Sequence, residues 1–471
     1  MRGQPTRYER VATLIEDQVR RGALRVGDRV PSLRSLSRHQ RVSISTVLEA
    51  YVRLEARGLL EARPRSGFYV RVPHADRPPE PQFEARAAVP APVGAGAVIA
   101  AVLDAAANPR VTPLGAACPS PDLLPYRMLN RFLRVAIAAD PTHSARYEPS
   151  RGSEALRRQL ARRALLYGCE FAPADVIVTC GAMEALHLSL RAVARAGQLV
   201  VLESPTYFGI LQAVEALGLR AIEVPTHPNT GLDPGRLAAV LRAHRVAACV
   251  AMPTLQNPLG AAMPLEAKRE LVALLAHHDI PLIEDDVYGD LVFDPVRSPA
   301  AKSFDRKGLV LYCSSFSKTL GPGFRVGWVE AGRFTPEIDR LKFMSTVATA
   351  SLPQAVIARF LERGAYERHL RRLRRALSAQ MVRMSAAIAR YFPTGTRISR
   401  PAGGFVLWVE LPERVDAVAL HRRALAKGVS VSPGPIFSAS ERFKNAIRIN
   451  CGHPWSAQME AAVAMIARLA R

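Results

Sequence analysis

The chain has 471 residues, 49% of them apolar, which is length and apolar content for roughly two to four domains with substantial cores. It carries 64 Lys+Arg against 41 Asp+Glu, a formal charge of +23 that favours polyanionic partners. No run approaches the length of a membrane-spanning helix, Met1–Pro5 lacks a signal peptide's apolar region, and six cysteines lie scattered with no close pair, so a cytoplasmic protein with reduced thiols and no metal frame is expected.

Residues 1–77 hold 16 Arg against 8 Asp/Glu. Tyr8 to Arg21 is amphipathic, with Val11, Leu14, Ile15 and Val19 near helical spacing. A second helix is predicted from Pro31-Ser32-Leu33-Arg34-Ser35-Leu36 and a third from Val42-Ser43-Ile44-Ser45-Thr46-Val47, with Ser32 and Ser43 as caps. Gly58 ends the third. Leu59–Ala62 and Gly67–Val70 then read as two strands around Arg63-Pro64-Arg65-Ser66. This is a helix-turn-helix with a basic β-wing, in which the third helix enters the major groove of double-stranded DNA. A helical hairpin used only for dimerisation is the plainer alternative.

The segment resembles the GntR superfamily of winged-helix regulators in Val30–Leu36, Val42–Val47, Ala50-Tyr51, Leu54-Glu55, Gly58–Leu60 and Gly67–Val70. The resemblance implies DNA contacts from Arg34, from Ser43, Ser45 and Thr46 at the start of the third helix, and from Arg63, Arg65 and Gly67 in the wing. The family commonly has arginine where this chain has Ile44, so a phosphate or guanine contact is not expected there.

Prolines at 73, 78, 79, 81, 90 and 92 mark an extended linker. Beyond it, apolar runs of strand length alternate with helical stretches: Val176–Thr179, Leu199–Leu202, Ala248–Ala251, Pro281–Ile283 and Leu309–Tyr312. That alternation predicts an α/β domain with a mainly parallel sheet. A long arginine-rich helix is expected from Pro353 to about Tyr391, then a smaller α+β lobe from Gly403. The expected division is 1–73 winged helix, 74–94 linker and 95–471 α/β unit.

Ser314 to Trp328 carries the chemistry. Lys318 follows a buried strand, where an amine is costly unless its charge is used or removed. Ser315, Ser317 and Arg325 surround it in sequence, a set suited to a lysine that forms a Schiff base with pyridoxal 5'-phosphate (PLP). Four other stretches fit. Gly181-Ala182 opens a helix whose amides could take a phosphate. Tyr207 ends a strand and could stack on a ring or be core. Asn257 offers an amide or is simply a turn. Asp285 and Asp286 end an apolar strand and are either solvated or paired with a cation such as a protonated pyridine nitrogen.

Together these features resemble the fold-type I aminotransferases. The resemblance implies a Schiff base at Lys318, the pyridine nitrogen on Asp285, the ring oxygen on Asn257 and Tyr288, and Tyr207 stacked on the ring. It places the phosphate on Gly181, Ala182, Ser315, Ser317 and Arg325. Tyr147 would reach the neighbouring subunit's phosphate and Arg448 would grip a substrate α-carboxylate. Asp286 takes no role in this reading. The whole order is similar to the MocR subfamily of GntR regulators: winged helix, proline-bearing linker, aminotransferase-like unit. That implies a homodimer with exchanged N-terminal modules, a regulator sensing an amino acid or related amine by aldimine formation. The alternatives are a working aminotransferase that also binds DNA, and a metabolic enzyme whose N-terminal module only mediates assembly.

Overall fold

The computed structural model describes residues 6–63, 66–71, 78–81, 90–91 and 96–471. Helix α1 (Arg7–Arg20) begins in a capping box, Thr6 with Glu9. α2 (Leu33–Gln40) and α3 (Ile44–Ala56) begin at Ser32 and Ser43, whose hydroxyls accept the Ser35 and Thr46 amides. Val47, Ala50, Tyr51 and Leu54 give α3 a fully buried face, and Tyr51 Oη donates to Pro31 O at 2.8 Å. Strands β1 (Leu60–Arg63) and β2 (Gly67–Val70) form the antiparallel wing. Pro64 and Arg65, at its tip, lie outside the described residues.

The expected linker is partly structured. Pro79 O accepts the Ile398 amide, Glu80 pairs with Arg400 at 2.9 Å, and β3 (Pro90–Ala91) adds an antiparallel edge to the large sheet. Part of the expected linker 74–94 is thus anchored on the large unit. Only six residues lie between Arg71 and Pro78, a span of at most about 25 Å. The family resemblance implies exchanged N-terminal modules; in the single chain the module lies against its own large unit, with Asp28 bound to Arg383 at 2.5 Å.

Among the described residues nine strands form that sheet. The principal ones are β4 (Val176–Thr179), β5 (Leu199–Ser204), β6 (Arg220–His227), β7 (Val246–Ala251), β8 (Leu282–Asp285), β9 (Val310–Ser315) and β10 (Gly327–Glu330). Their order is β3-β6-β5-β7-β8-β9-β10-β4. β6, β5, β7, β8 and β9 run parallel, while β10 is antiparallel to both β9 and β4. Two antiparallel steps turn β4 back into the common direction. The carboxyl ends of β4, β5, β7, β8 and β9 therefore open on one side, where open α/β sheets bind ligands.

The single long helix expected after Pro353 is two helices, Ser351–Glu362 and Ala365–Tyr391. Gly364, at φ 63°, provides the left-handed residue that breaks them. The C-terminal lobe is a four-stranded sheet with Val406–Glu410 and Ala446–Asn450 at its centre. No described helix is long and apolar enough to cross a membrane, and no described cluster of side chains is placed to hold a metal ion.

Candidate active site and DNA-binding face

Each predicted site residue of the large unit except Tyr147 and Arg448 stands at or just beyond a strand end in the main sheet. Lys318 lies three residues past β9, half-buried, and its Nζ donates to Ala117 O at 2.7 Å. Burial pushes the Lys318 amine below the ordinary lysine range. Asp285 ends β8, and burial pushes its carboxyl up to about 7. Lys318 and Asp285 each perturb the other's titration, and Asp285 and Arg448 both act on the phenols of Tyr207 and Tyr288. These five side chains thus lie within electrostatic reach of one another beyond the strand ends, together with Asn257, whose Oδ1 accepts from Arg448 Nη1 at 2.9 Å.

A second group of the predicted residues has the chemistry to take an anion. Gly181, at φ 78°, caps the helix Ala182–Val193 and supplies no side-chain acceptor to its first amides. Arg325 lies directly over it, with Nη2 donating to Cys180 O at 2.9 Å. A Cβ on Gly181 would stand 2.5 Å from Arg325 Nη2. Ser315 and Ser317 are buried beside them, with the Ser317 amide 3.4 Å from Ser315 Oγ. A helix N-terminus, hydroxyls and a guanidinium at one spot are the groups a phosphate needs. Gly181→Ala is therefore expected to displace Arg325 and to speed dissociation of a phosphorylated cofactor at least tenfold, as followed by cofactor release on dilution. An unchanged release rate would detach Gly181 and Arg325 from that site.

Arg448, on the central strand Ala446–Asn450 of the small lobe, is 0% exposed. Its Nη2 donates to Gly115 O at 2.7 Å and lies 3.3 Å from Ser432 Oγ, while its Nε has no partner among the described residues. Burial pushes the guanidinium down. Among the described residues no carboxylate pairs with it. A fully buried cation with only neutral acceptors carries a desolvation cost that an anionic partner would offset.

Tyr207 is packed on Gly209, where an added Cβ would meet its ring at 2.5 Å. Tyr288 is buried, and Lys318 Nζ sits 5.9 Å from its ring centre. Tyr147 is 86% exposed, away from this chain's own pocket.

Several functional groups were not visible in sequence. The acceptors for Lys318 and Arg448 are backbone carbonyls at Ala117 and Gly115, which carry no residue signature. Asp286 faces the other side of β8, bound to Arg297 and Tyr312. Arg297 also reaches Asp290 at 3.2 Å, as Arg163 does at 3.1 Å. Burial alone would push the Asp290 carboxyl up, but the two guanidiniums hold it at about 2. Tyr366 Oη donates to Asp290 Oδ2 at 2.9 Å and lies 2.8 Å from Thr319 Oγ1. His369, whose imidazolium form burial disfavours, meets Thr319 O at 2.6 Å. The residue next to Lys318 is thus held by the long helix Ala365–Tyr391.

On the N-terminal module Arg34, at the start of α2, and Ser43 and Ser45, at the start of α3, lie toward solvent, and Thr46 is half-buried. Ser43 Oγ is 2.8 Å from Ser45 Oγ and 2.7 Å from Thr46 Oγ1. Arg63 packs its guanidinium 4.3 Å over the Tyr69 ring, and Gly67 lines one cleft with Arg34 and Ile44.

Residues 123–466 match the family model of aminotransferase class I and II, and residues 7–70 that of bacterial regulatory proteins, gntR family. A protein named "Uncharacterized HTH-type transcriptional regulator YdcR", of Escherichia coli (strain K12), is 39% identical over 98% of each chain. The alpha-aminoadipate aminotransferase LysN of Thermus thermophilus, solved with N-(5'-phosphopyridoxyl)-L-leucine, superposes with a TM-score of 0.72 at 29% identity, covering 80% of this chain and 94% of that one. The kynurenine aminotransferase of Pyrococcus horikoshii superposes with a TM-score of 0.74 at 27% identity, over 80% and 95%. By fold, site and sequence the chain belongs to the aminotransferase class I and II family, with a gntR-family regulatory domain ahead of it.

Proposed function

We propose that this protein is a DNA-binding regulator of the MocR type, in which an amino acid or related amine competes with Lys318 for pyridoxal 5'-phosphate and thereby changes DNA binding. The cofactor supplies an electrophilic carbonyl carbon open to primary amines, and a ring that withdraws electrons when its nitrogen is protonated. The pocket fits it: among the described residues neither the buried carboxyl of Asp285 nor the amine of Lys318 makes a direct ion pair, though each feels the other's charge, and Gly181 and Arg325 offer a cradle for an anion. Lys318 would be the covalent tether for the cofactor, Asp285 the partner of its pyridine nitrogen, and Asn257 and Tyr288 the partners of its ring oxygen. Tyr207 covers the ring face. Gly181, Ala182, Ser315, Ser317 and Arg325 take the phosphate, and Arg448 takes the effector's carboxylate.

Residues 1–73 bind double-stranded DNA through Arg34, Ser43, Ser45, Thr46 and the wing with Arg63, Arg65 and Gly67. Residues 74–94 connect and 95–471 bind the cofactor. A homodimer completes the site, since Tyr147 projects outward. Exposed Leu165, Leu166, Phe343 and Met344 support a subunit interface.

The observation that carries the regulatory reading is the 27-residue helix Ala365–Tyr391, about 40 Å long. Near its start Tyr366 and His369 hold Thr319, beside Lys318. About 20 Å further along the same rod, Arg383 holds Asp28 of the winged helix. A change at Lys318 can bias the module only through differential contacts of this kind.

The test is the affinity of the cofactor-loaded protein for DNA flanking its coding region, with a panel of amino acids and amines. Amines that alter the cofactor's absorbance are expected to change DNA affinity ~5-fold or more. Arg383→Ala is expected to keep DNA binding and the absorbance response but lose the link between them. If every amine that alters the absorbance leaves DNA binding unchanged, the regulatory reading is wrong. Steady conversion of a 2-oxo acid would then support the aminotransferase reading.

A further inference from the structure

Helix α3 is apolar on two faces. Val47, Ala50, Tyr51 and Leu54 account for the core. Ile44, Leu48 and Val52, spaced four apart, form a second stripe on the outside, and they are 48%, 42% and 46% exposed. A helix of a small domain ordinarily turns polar residues outward. This stripe has no covering element among the described residues.

Its surroundings identify what covers it. Ile44 lines one cleft of about 310 Å3 with Arg34, Arg29 and the wing residue Gly67. No carboxylate among the described residues pairs with Arg34. The acids of α3 are already engaged: Glu49 with Arg53 at 2.9 Å, and Glu55 with the Ala62 amide at 2.7 Å. Hydroxyls of Ser43, Ser45 and Thr46 stand at the same helix start. The face is an apolar ridge with a basic, hydroxylated rim, complementary to a polyanion that presents apolar groups in a groove. In the major groove the apolar group on base edges is the 5-methyl of thymine.

We propose that the protein reads its operator through thymine methyl groups, with Ile44 and Leu48 as the specificity-determining residues. The inference rests on the DNA-binding reading above. Ile44 and Leu48 are about 6 Å apart along the helix, so their contacts fall within about two base pairs of each other. Phosphate contacts from Arg34 and the wing fix the position, and the two aliphatic side chains supply the sequence preference.

The experiment is selection of duplexes from a random library by the full-length, cofactor-loaded protein, followed by binding to the selected site with deoxyuridine replacing single thymidines. Thymine is expected at two positions within each half-site. Loss of each contacted methyl should weaken binding ~4-fold, the equivalent of one buried CH2 group. Ile44→Ala should weaken binding similarly, abolish the response to deoxyuridine at its position and leave the salt slope unchanged. Arg34→Ala should instead reduce that slope by about one. Tight binding to the selected site with no response to deoxyuridine at any position would overturn the proposal while leaving DNA binding intact. So would loss of self-association in Ile44→Ser with DNA affinity unchanged, which would assign the stripe to a second copy. Failure to select any duplex would overturn the DNA-binding reading itself.

Discussion

Lys318→Ala is expected to abolish covalent retention of pyridoxal 5'-phosphate completely. The amine stands just beyond β9, held toward the pocket by its bond to Ala117 O, and burial keeps it below the ordinary lysine range, closer to the neutral form that attacks a carbonyl. Alanine removes the amine and one hydrogen bond, worth about 1 kcal/mol, so the fold survives. Gly181, Ser315, Ser317 and Arg325, the proposed phosphate contacts, are untouched, so reversible binding through the phosphate is expected to remain. The measurement is borohydride reduction followed by peptide mass analysis. The native protein should carry the cofactor's added mass on the peptide containing Lys318, and the variant should carry none on any lysine. Cofactor fixed in the variant, on Lys268 or Lys342 for instance, would refute the assignment. Both are buried amines whose charge is disfavoured by burial, which makes them informative controls.

Local signals carried far in this chain. Ser32 and Ser43 predict where α2 and α3 begin because a hydroxyl cap acts on amides only three residues away. Gly58 marks the end of α3 for the same local reason. Lys318, Asp285 and Asn257 could be picked out because the α/β fold gathers the ends of parallel strands, so residues far apart in sequence meet once the strands are recognised. What could not be read depends on partners without a pattern. Arg448 reaches a carbonyl 333 residues away, at Gly115. Arg297, in a proline-bearing loop, gives Asp286 and Asp290 their cation, and nothing in Pro295–Pro299 announces it. The break at Gly364 was hidden because both flanking segments are good helix formers with continuous amphipathic spacing. The linker looked free because proline content predicts extension but not anchorage. Pro79 and Glu80 are held because Asn229, Arg397, Ile398 and Arg400, far away in sequence, lie alongside.

Arg448→Ala is expected to weaken binding of carboxylated amines by roughly 30-fold or more, the scale of truncating one partner of a buried, hydrogen-bonded charge pair. The guanidinium is fully buried, hydrogen-bonded to Asn257, Gly115 and Ser432, all neutral, and Nε has no partner among the described residues. Its orientation is therefore fixed before any ligand arrives, and its desolvation has already been met in the folded chain. An incoming carboxylate gains a charge-assisted pair at little further cost. Lysine should not rescue it: one ammonium cannot hold Asn257 Oδ1 and Gly115 O and still present a planar fork to a carboxylate. The apoprotein should lose little stability in Arg448→Ala, because removing an unneutralised buried cation relieves a desolvation cost that offsets the lost packing. A preserved melting temperature would separate the binding defect from unfolding. The decisive comparison pairs each amino acid with the amine that lacks its carboxylate, read by displacement of the Lys318-bound cofactor absorbance. The variant should lose affinity for the acid and keep that for the amine, so that the two converge. Equal losses for both would mean that Arg448 only supports the pocket wall through Asn257, and that the carboxylate is received elsewhere.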